Sequence, residues 1–386
     1  MKEDCLICKA PQEYLQEDVL MECSICHKSE FSKTRCVNGH YVCNECHSKG
    51  VDSSVGLCLN ETSCDPIEII GKMMNVLKIY SAPLQGFTEA VWRNVHSTVF
   101  GGVDVYCTPF LRYEHGEIRS KDVRDVKHES NNVENLLPQI IAATPDEMHP
   151  LMELLANEGY RNVDLNMGCS FPLQARKKHG AGLLPHPDMV AELMKATTGY
   201  PDFSFSVKMR LGWESKDEWR ALMPILNDTP LSHITVHPRL GIEQYKKAAD
   251  IEAFAEFYAA CKHPVIYNGD ILTLEDIRRI ESEFPQLKGI MIGRGLLANP
   301  ALGIEYRDGR ELTDHELCRL VQQMHDAMFC ELSQRLQGST QFLTKMIPYW
   351  EYLLPSLPKR LRKPILKATT IEKYQSAVTE ALKGDW

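Results

Sequence analysis

The sequence predicts an α/β protein whose main domain, residues 78–308, is a (β/α)8 TIM barrel. Eight short apolar runs spaced about 25 to 40 residues apart begin near Lys78, as a parallel barrel requires. The alternative, an open doubly wound sheet, would carry a glycine-rich phosphate loop, and neither GxGxxG nor GxxxxGK[ST] occurs. The predicted strands are Ile79–Ala82, Val103–Cys107, Gln139–Ala143, Val163–Asn166, Phe203–Met209, Ile234–His237, Val265–Asn268 and Ile290–Gly293.

Amphipathic stretches between these runs predict the helices of the barrel, and the chain beyond Asp308 predicts helices only. The clearest barrel helices are Pro145–Asn157, Met189–Thr197, Lys216–Leu226, Ile251–Cys261 and Leu274–Glu283. Residues 309–386 lack further strand-like runs and are interrupted by Gly338 and four prolines, which break helices. We therefore expect a C-terminal helical domain.

The first 65 residues predict a small metal-binding module, because nine of the 14 cysteines lie within the first 64 residues, mostly in Cys-x-x-Cys pairs. Four ligand pairs are enough for two tetrahedral Zn sites, although the pairing stays open and an Fe–S cluster is an alternative. The candidate ligands are Cys5, Cys8, Cys23, Cys26, Cys36, His40, Cys43 and Cys46, and His27 or His47 could replace His40. Asp65 and Pro66 then predict the start of a connecting helix over residues 66–77.

The composition is that of a cytosolic protein, which we expect to be a monomer. Hydrophobic residues make up 44% of the chain, no apolar run approaches the roughly 20 residues of a membrane span, and the N-terminus lacks a signal-peptide pattern. The net charge of −9 argues against a broadly basic surface, yet Lys345–Lys373 carries seven basic against two acidic residues. Phosphate attraction is local, so this segment could hold RNA, although taken alone such a patch is more often only a solvated face.

Polar residues stand at the ends of seven of the eight strands, and these ends meet at one mouth of a barrel. The chemistry they favour is a flavin site. Gly269 and Gly293 would present backbone N–H groups to a phosphate, with Arg294 adding a charge-assisted bond. Lys208 would stabilise a reduced flavin, and Gln139 would address the amide edge of its ring.

The barrel sequence resembles the tRNA-dihydrouridine synthases from about Ile79 to Asn299. The motifs that carry the resemblance are Ala82–Thr88 (APLQGFT), Asp164–Cys169 (DLNMGC), Val207–Gly212 (VKMRLG), His237-x-Arg239, Asn268–Ile271 (NGDI) and Ile292–Gly295 (IGRG). The resemblance implies an FMN enzyme that uses NADPH to reduce the C5–C6 double bond of uridine in folded RNA, with tRNA expected. Cys169 is then the proton donor to C5, and an unperturbed thiol is indeed mostly protonated at pH 7.

The resemblance also assigns binding residues. The implied cofactor contacts are Pro83, Leu84, Gln85, Gln139, Asn166, Lys208, His237, Asn268, Gly269, Asp270, Gly293 and Arg294. The implied RNA contacts are Arg239, Lys359, Arg360, Arg362 and Lys363, with Tyr349, Trp350 and Tyr352 nearby for stacking. Three departures from the family pattern are Ser170-Phe171 between Cys169 and Pro172, Pro238 in the His-x-Arg motif, and Ala142 where the family usually has Gly three residues after the flavin-binding Gln.

Two other functions remain open at this point. The first is a flavin barrel that acts on a free pyrimidine; the basic helical tail argues against it, because a free base needs no such surface. The second is a non-catalytic RNA-binding barrel. The joint presence of four reactive or cofactor-binding residues argues against it: Cys169, Lys208, His237 and Arg294.

Overall fold

The computed structural model describes residues 12–23, 28–39, 41, 43 and 77–383. The chain divides into two compact units, Met1–Val76 and Leu77–Trp386. In the first unit, strands β1 (Gln12–Glu22) and β2 (Ser29–Cys36) form an antiparallel hairpin with an irregularity between Tyr14 and Val19. The sequence did not predict this hairpin, because the module shows little apolar periodicity. Residues 66–76 of the expected connecting helix lie outside the described residues.

The second unit is built on a closed parallel barrel, which confirms the predicted fold class. Its strands are β3 (Lys78–Ser81), β4 (Val105–Cys107), β7 (Leu136–Leu137) with β8 (Gln139–Ile141), β9 (Asn162–Met167), β10 (Ser204–Gly212), β11 (Leu231–Leu240), β12 (Val265–Tyr267) and β13 (Gly289–Ile292). The third barrel strand is interrupted at Pro138, so β7 pairs with β4 while β8 pairs with β9. Pairing of Gly289 on β13 with Lys78 on β3 closes the ring.

Helices cover the outside of the barrel. They are α1 (Ala90–Val99), α2 (Ser120–Val126), α3 (Pro145–Asn157), α4 (Pro172–Arg176), α5 (Pro187–Thr197), α6 (Glu218–Asp228), α7 (Ile251–Ala260), α8 (Leu274–Glu283), α9 (Arg294–Ala298) and α10 (Leu302–Asp308). Each of the five predicted barrel helices is confirmed within about two residues. Two short strands, β5 (Leu111–Glu114) and β6 (Glu117–Ile118), lie in the connection after β4 and were not predicted.

The C-terminal segment is helical, as predicted, and packs on the barrel within the same unit. It comprises α11 (Asp314–Arg335), α12 (Ser339–Met346), a 3-10 segment (Ile347–Glu351), α13 (Lys359–Leu366) and α14 (Ile371–Ala381). Tyr349 donates from its hydroxyl to the carbonyl of Phe87 at 2.5 Å, and Lys345 pairs with Glu89 at 2.5 Å. Both partners follow β3, so these contacts bring the helices close to the carboxyl end of the barrel.

Alternation along the strands divides the core into two layers. Outward-facing apolar residues pack beneath the helices in one large cluster. Tyr80, Ala82, Cys107, Leu137, Ile266 and Met291 form a second, smaller cluster. Among the described residues no helix is both long and apolar enough to cross a bilayer.

Candidate active site

A cavity opens where the barrel strands end, and most of the predicted cofactor residues line it. Those residues are Pro83, Leu84, Lys208, His237, Asn268, Gly269, Asp270, Gly293 and Arg294, together with Arg239. They come from five different strands, so groups that are up to 211 residues apart in sequence meet on one wall of the cavity. The carboxyl end of such a barrel is where active sites form.

Lys208 supplies an unpaired cation in this cavity. Its ammonium has no hydrogen bond or ion pair with any residue that the structure describes. Burial, together with the charge of Arg210, lowers the pKa of Lys208 to about 8, so most of the group is still charged at neutral pH. An unpartnered buried cation is costly, and it favours a ligand that brings an electronegative edge. The flavin predicted here has such an edge.

Asp270 joins two arginines on this wall of the cavity. Arg239, which is 3% exposed, donates to its two carboxylate oxygens at 2.7 and 2.5 Å. Arg294 reaches one of the same oxygens at the longer distance of 3.2 Å. Burial alone would raise the pKa of Asp270, but the hydrogen bonds from Arg239 and from the Ala249 N–H bring it below its ordinary value. Asp270 is therefore ionised and neutralises part of the charge on this wall.

His237 is held as a neutral imidazole. Arg239 donates to its Nε2 at 2.9 Å, which leaves the proton on Nδ1. Burial, assisted by the nearby cations Arg210 and Lys208, places the pKa of His237 well below its ordinary value. His237 and Arg239 lie on the same face of β11 because they are two residues apart, and β11 runs through Pro238 without a break. The departure at Pro238 therefore leaves both groups in place.

Gly269 and Gly293 stand just beyond the ends of the last two barrel strands. A side chain at Gly269 would place its Cβ 2.9 Å from the Cβ of Ala249 and 3.0 Å from the Tyr267 hydroxyl. Gly293 is the N-cap of α9, where the first N–H groups have no partners within the helix. Arg294 follows directly, so backbone donors and a guanidinium share this corner, as the sequence predicted for a phosphate contact.

Cys169 begins the loop after β9 and is held by its backbone. Asn166 accepts with Oδ1 from the N–H groups of Gly168 at 3.1 Å and Cys169 at 2.8 Å. Gly180 packs so closely that a Cβ there would lie 2.7 Å from that of Cys169. Burial raises the pKa of the Cys169 thiol. The thiol therefore stays protonated at neutral pH, which is the state that a proton donor needs.

Three residues of the predicted set lie away from the cavity wall. Gln85 donates from Nε2 to the carbonyl of Phe110 at 3.0 Å. Gln139 is fully buried between Asp164 and Asn166, with both ends of its amide hydrogen-bonded. The third residue is Asn166, which donates to Gln139. The cofactor contacts of all three residues stay predictions.

The basic tail is only partly available to RNA. Lys359, Arg360 and Lys363 are exposed on α13. The guanidinium of Arg362 instead donates to the backbone carbonyls of Trp350, Leu353 and Leu354. Tyr349 and Trp350, which were expected to stack on bases, are buried at 8% and 1% exposure. The sequence could not separate these roles, because alternating basic and apolar residues on a helix do not reveal which side faces the protein.

Two residues of the site were missed by the sequence. Tyr245, in the loop after β11, lies under three guanidiniums, with the Arg294 carbon 4.3 Å from its ring centre. Arg210, 2% exposed, donates to the carbonyls of Gly168, Leu240 and Gln244 and so ties the Cys169 loop to the Tyr245 loop. No local pattern marks Tyr245, and the Lys-x-Arg motif alone does not reveal which loops Arg210 joins.

A family model for dihydrouridine synthase (Dus) matches residues 80–371, which is most of the chain. The chain belongs to the dihydrouridine synthase family. It is 28% identical over 283 residues to the tRNA-dihydrouridine(16) synthase of Pseudomonas putida, covering 67% of this chain and 84% of that one. It is 31% identical over 263 residues to the probable tRNA-dihydrouridine synthase of Staphylococcus aureus strain COL, with coverages of 64% and 76%. The predicted enzyme class, an oxidoreductase of the dihydrouridine synthase type, is thereby confirmed.

Proposed function

We propose that this dihydrouridine synthase family member binds FMN at the barrel mouth and, with NADPH as reductant, reduces uridine to dihydrouridine in tRNA. We propose further that it acts as a monomer in the cytosol. The observation that carries the proposal is that neighbouring strands present two complementary groups: a protonated thiol, Cys169, just after β9, and an ammonium on β10, Lys208, that has no hydrogen-bond partner among the described residues. Reduction of a C=C bond needs a proton donor and a place for negative charge, and these two groups supply them.

The protein's own groups would hold the cofactor by chemistry that matches its parts. The N–H groups at the start of α9 and the guanidinium of Arg294 suit a phosphate. Lys208 suits the electronegative edge of the ring. When bound, the flavin supplies the hydride that adds to C6 of uridine.

Cys169 completes the reduction. Its thiol gives its proton from Sγ to C5, and the resulting thiolate then recovers a proton from solvent. Because Arg210 and Lys208 lie close enough to lower the thiol's pKa against the effect of burial, they also stabilise that transient thiolate. The target base must leave its stack to reach the thiol, since C5 and C6 are otherwise covered by neighbouring bases.

The direct test is cofactor and product analysis. The purified protein should be yellow and release FMN on denaturation, and it should form dihydrouridine in tRNA but not from free uracil, as scored by mass spectrometry. Cys169→Ala should retain FMN and its reduction by NADPH while losing about 10²–10⁴-fold in RNA reduction. Cys261→Ala is the matched control, because burial also raises the pKa of that half-buried thiol, which follows α7. Colourless protein that FMN does not reconstitute, or equal activity in both variants, would contradict the proposal.

For the N-terminal module we propose two bound Zn ions. Cys23, Cys36 and Cys43 are the predicted ligands within the described residues, and Cys5, Cys8, Cys26, His40 and Cys46 lie outside them. Cys23 Sγ accepts from the N–H of Cys43 at 3.3 Å, and Cys36 Sγ accepts from that of Asn38 at 3.2 Å. Such bonds favour the thiolate, which is the form that binds Zn. Over the described residues no cluster of three potential ligands is found.

Metal analysis of the intact protein tests this proposal. We expect about two Zn per chain and none after residues 1–65 are deleted. Iron with labile sulfide would instead identify a cluster. If the deletion leaves FMN content unchanged but raises the KM for RNA, the module extends the RNA-binding surface; an unchanged KM would exclude that role.

A further inference from the structure

Asp164 is a buried carboxylate that the proposed chemistry does not use. It lies on β9 with no solvent exposure, and it forms no ion pair within the part of the chain that the structure describes. Its two oxygens accept short hydrogen bonds, from Ser206 Oγ at 2.6 Å and from Gln139 Nε2 at 2.7 Å. Burial raises the pKa of Asp164, and the positive charge of Lys208 on the neighbouring strand offsets this only in part, so the buried carboxylate calls for a compensating role.

A single line of hydrogen bonds connects this carboxylate to the Cys169 loop. Gln139 donates to Asp164, and its Oε1 accepts from Asn166 Nδ2 at 2.7 Å. Asn166 in turn accepts, through Oδ1, from the N–H of Cys169 at 2.8 Å and that of Gly168 at 3.1 Å. Every donor in the line therefore points toward Asp164.

The direction of this line follows from hydrogen-bonding capacity. A carboxylate only accepts, whereas each side-chain amide has one donating and one accepting end. With Asp164 ionised, Gln139 must turn its NH2 inward and its carbonyl toward Asn166. Asn166 then turns its own carbonyl toward the N–H of Cys169. A terminal charge also strengthens each bond in such a series, because charge-assisted bonds are stronger and polarise their neighbours.

We propose that Asp164 is a positioning residue that acts through Gln139 and Asn166 to hold the backbone of Cys169 in place for proton donation. The inference rests on the proposed function of Cys169. It assigns Asp164 no contact with substrate or cofactor, only the anchoring of the loop that carries the thiol.

Three variants separate this role from simple packing. Asp164→Asn keeps the shape but removes the charge and one accepting position. Ser206→Ala removes the other hydrogen bond to the same carboxylate and leaves the Gln139 side intact. The double variant Gln139→Glu with Asp164→Asn moves the carboxylate one step along the line, where it again accepts from Asn166 and, on its other oxygen, from Asn at 164.

Amide hydrogen exchange of the FMN-loaded full-length protein, read by mass spectrometry on the peptide containing Gly168 and Cys169, is the primary measurement. Asp164→Asn should accelerate exchange in this peptide about 10-fold, while the β12 peptide, Val265–Tyr267, stays unchanged. Ser206→Ala, measured at pH 8.5 so that Asp164 stays ionised without the Ser206 hydrogen bond that lowers its pKa, should stay within about twofold of the unmodified protein. The double variant should return to slow exchange although it carries more substitutions.

Slow exchange in Asp164→Asn, or equal acceleration in Ser206→Ala, would overturn the proposal. If Asp164→Asn does not fold, the double variant decides, because it preserves every donor–acceptor pairing; failure of that variant to fold or fast exchange in it counts against the proposal. In the activity arm, Asp164→Asn should lower kcat for RNA reduction about 10-fold, with the KM for RNA and flavin reduction by NADPH within twofold. If the unmodified enzyme makes no dihydrouridine, the proposed function fails, while the exchange data still decide the role of Asp164.

Discussion

Replacing Arg362 with alanine should destabilise the helical segment without changing its attraction for RNA. The guanidinium donates to three backbone carbonyls, those of Trp350, Leu353 and Leu354, which follow one another at and beyond the end of the 3-10 segment. The 3-10 segment ends at Glu351, so its regular backbone hydrogen bonding stops there. The Leu354 carbonyl also accepts from the N–H of Leu357, so Arg362 is a second partner for that oxygen. Arg362, on α13, thus supplies hydrogen-bond donors to backbone carbonyls at and just after the end of the 3-10 segment.

The size of the effect follows from these contacts. A hydrogen bond with a charged partner contributes about 1.5–3 kcal/mol net when buried, and less where water can replace the donor. Arg362 is half-buried, so we take about 1 kcal/mol for each of three bonds and expect a loss of about 3 kcal/mol. Arg360→Ala, two residues away and exposed, should change stability by no more than about 0.5 kcal/mol.

Urea unfolding and the salt dependence of RNA binding measure the two properties separately. Arg362→Ala should lower the unfolding midpoint while the slope of log K against log salt stays constant. Arg360→Ala should leave the midpoint unchanged and reduce that slope by about 0.7–0.9, one phosphate contact. Arg362→Lys should recover only part of the stability, since one ammonium does not reach three carbonyls. If Arg362→Ala is as stable as Arg360→Ala, or flattens the salt slope equally, the structural role is wrong.

Three further outcomes follow from the same structure. Lys208→Met should lower the reduction potential of bound flavin by about 30 mV or more, the equivalent of ~1.4 kcal/mol for two electrons; an unchanged potential in a dye titration would place the ammonium away from the ring. Replacing Lys359, Arg360 and Lys363 together by alanine should weaken RNA binding and flatten its salt slope, while reduction of the flavin by NADPH continues at the normal rate. Burial raises the pKa of Asp164 from its ordinary 3.8 to about 6, so the folded state holds this proton more tightly than the unfolded state. The unfolding free energy of the unmodified protein, relative to Asp164→Asn, should therefore fall by about 2 kcal/mol as the pH rises from 4 to 8, and a pH-independent difference would contradict the burial of the charge.

The barrel was predictable because its signals are local. Helices α3 and α8 begin and end at the predicted residues, and Thr144 and Thr273 cap them with side-chain oxygens. Strand ends were less exact, since β10 and β11 run three residues beyond their predicted ends at Met209 and His237. The short strands β5 and β6 carry no comparable signal, because their pairing depends on β8 in another part of the barrel.

The partners of the charged side chains were not predictable. The sequence placed Arg239 and Arg362 among the RNA contacts on the basis of residue type and position. In the folded chain the guanidinium of Arg239 bonds to Asp270, His237 and the carbonyl of Lys247, and that of Arg362 bonds to three carbonyls. Contacts between residues distant in sequence depend on the folded geometry, which no local pattern encodes.

The shared carboxylate of Asp270 separates the roles of the two arginines at the mouth. Arg239 donates from one terminal nitrogen to both oxygens of Asp270, uses its other nitrogens on His237 and the Lys247 carbonyl, and is 3% exposed, so moving it would break a buried ion pair. Arg294 makes one longer contact of 3.2 Å, is 34% exposed and rests on the ring of Tyr245. An arriving phosphate can therefore draw Arg294 away while Asp270 keeps Arg239 as its partner. We infer that Arg294 is the arginine that meets the anion, and that Arg239 holds Asp270 and His237 in place behind it.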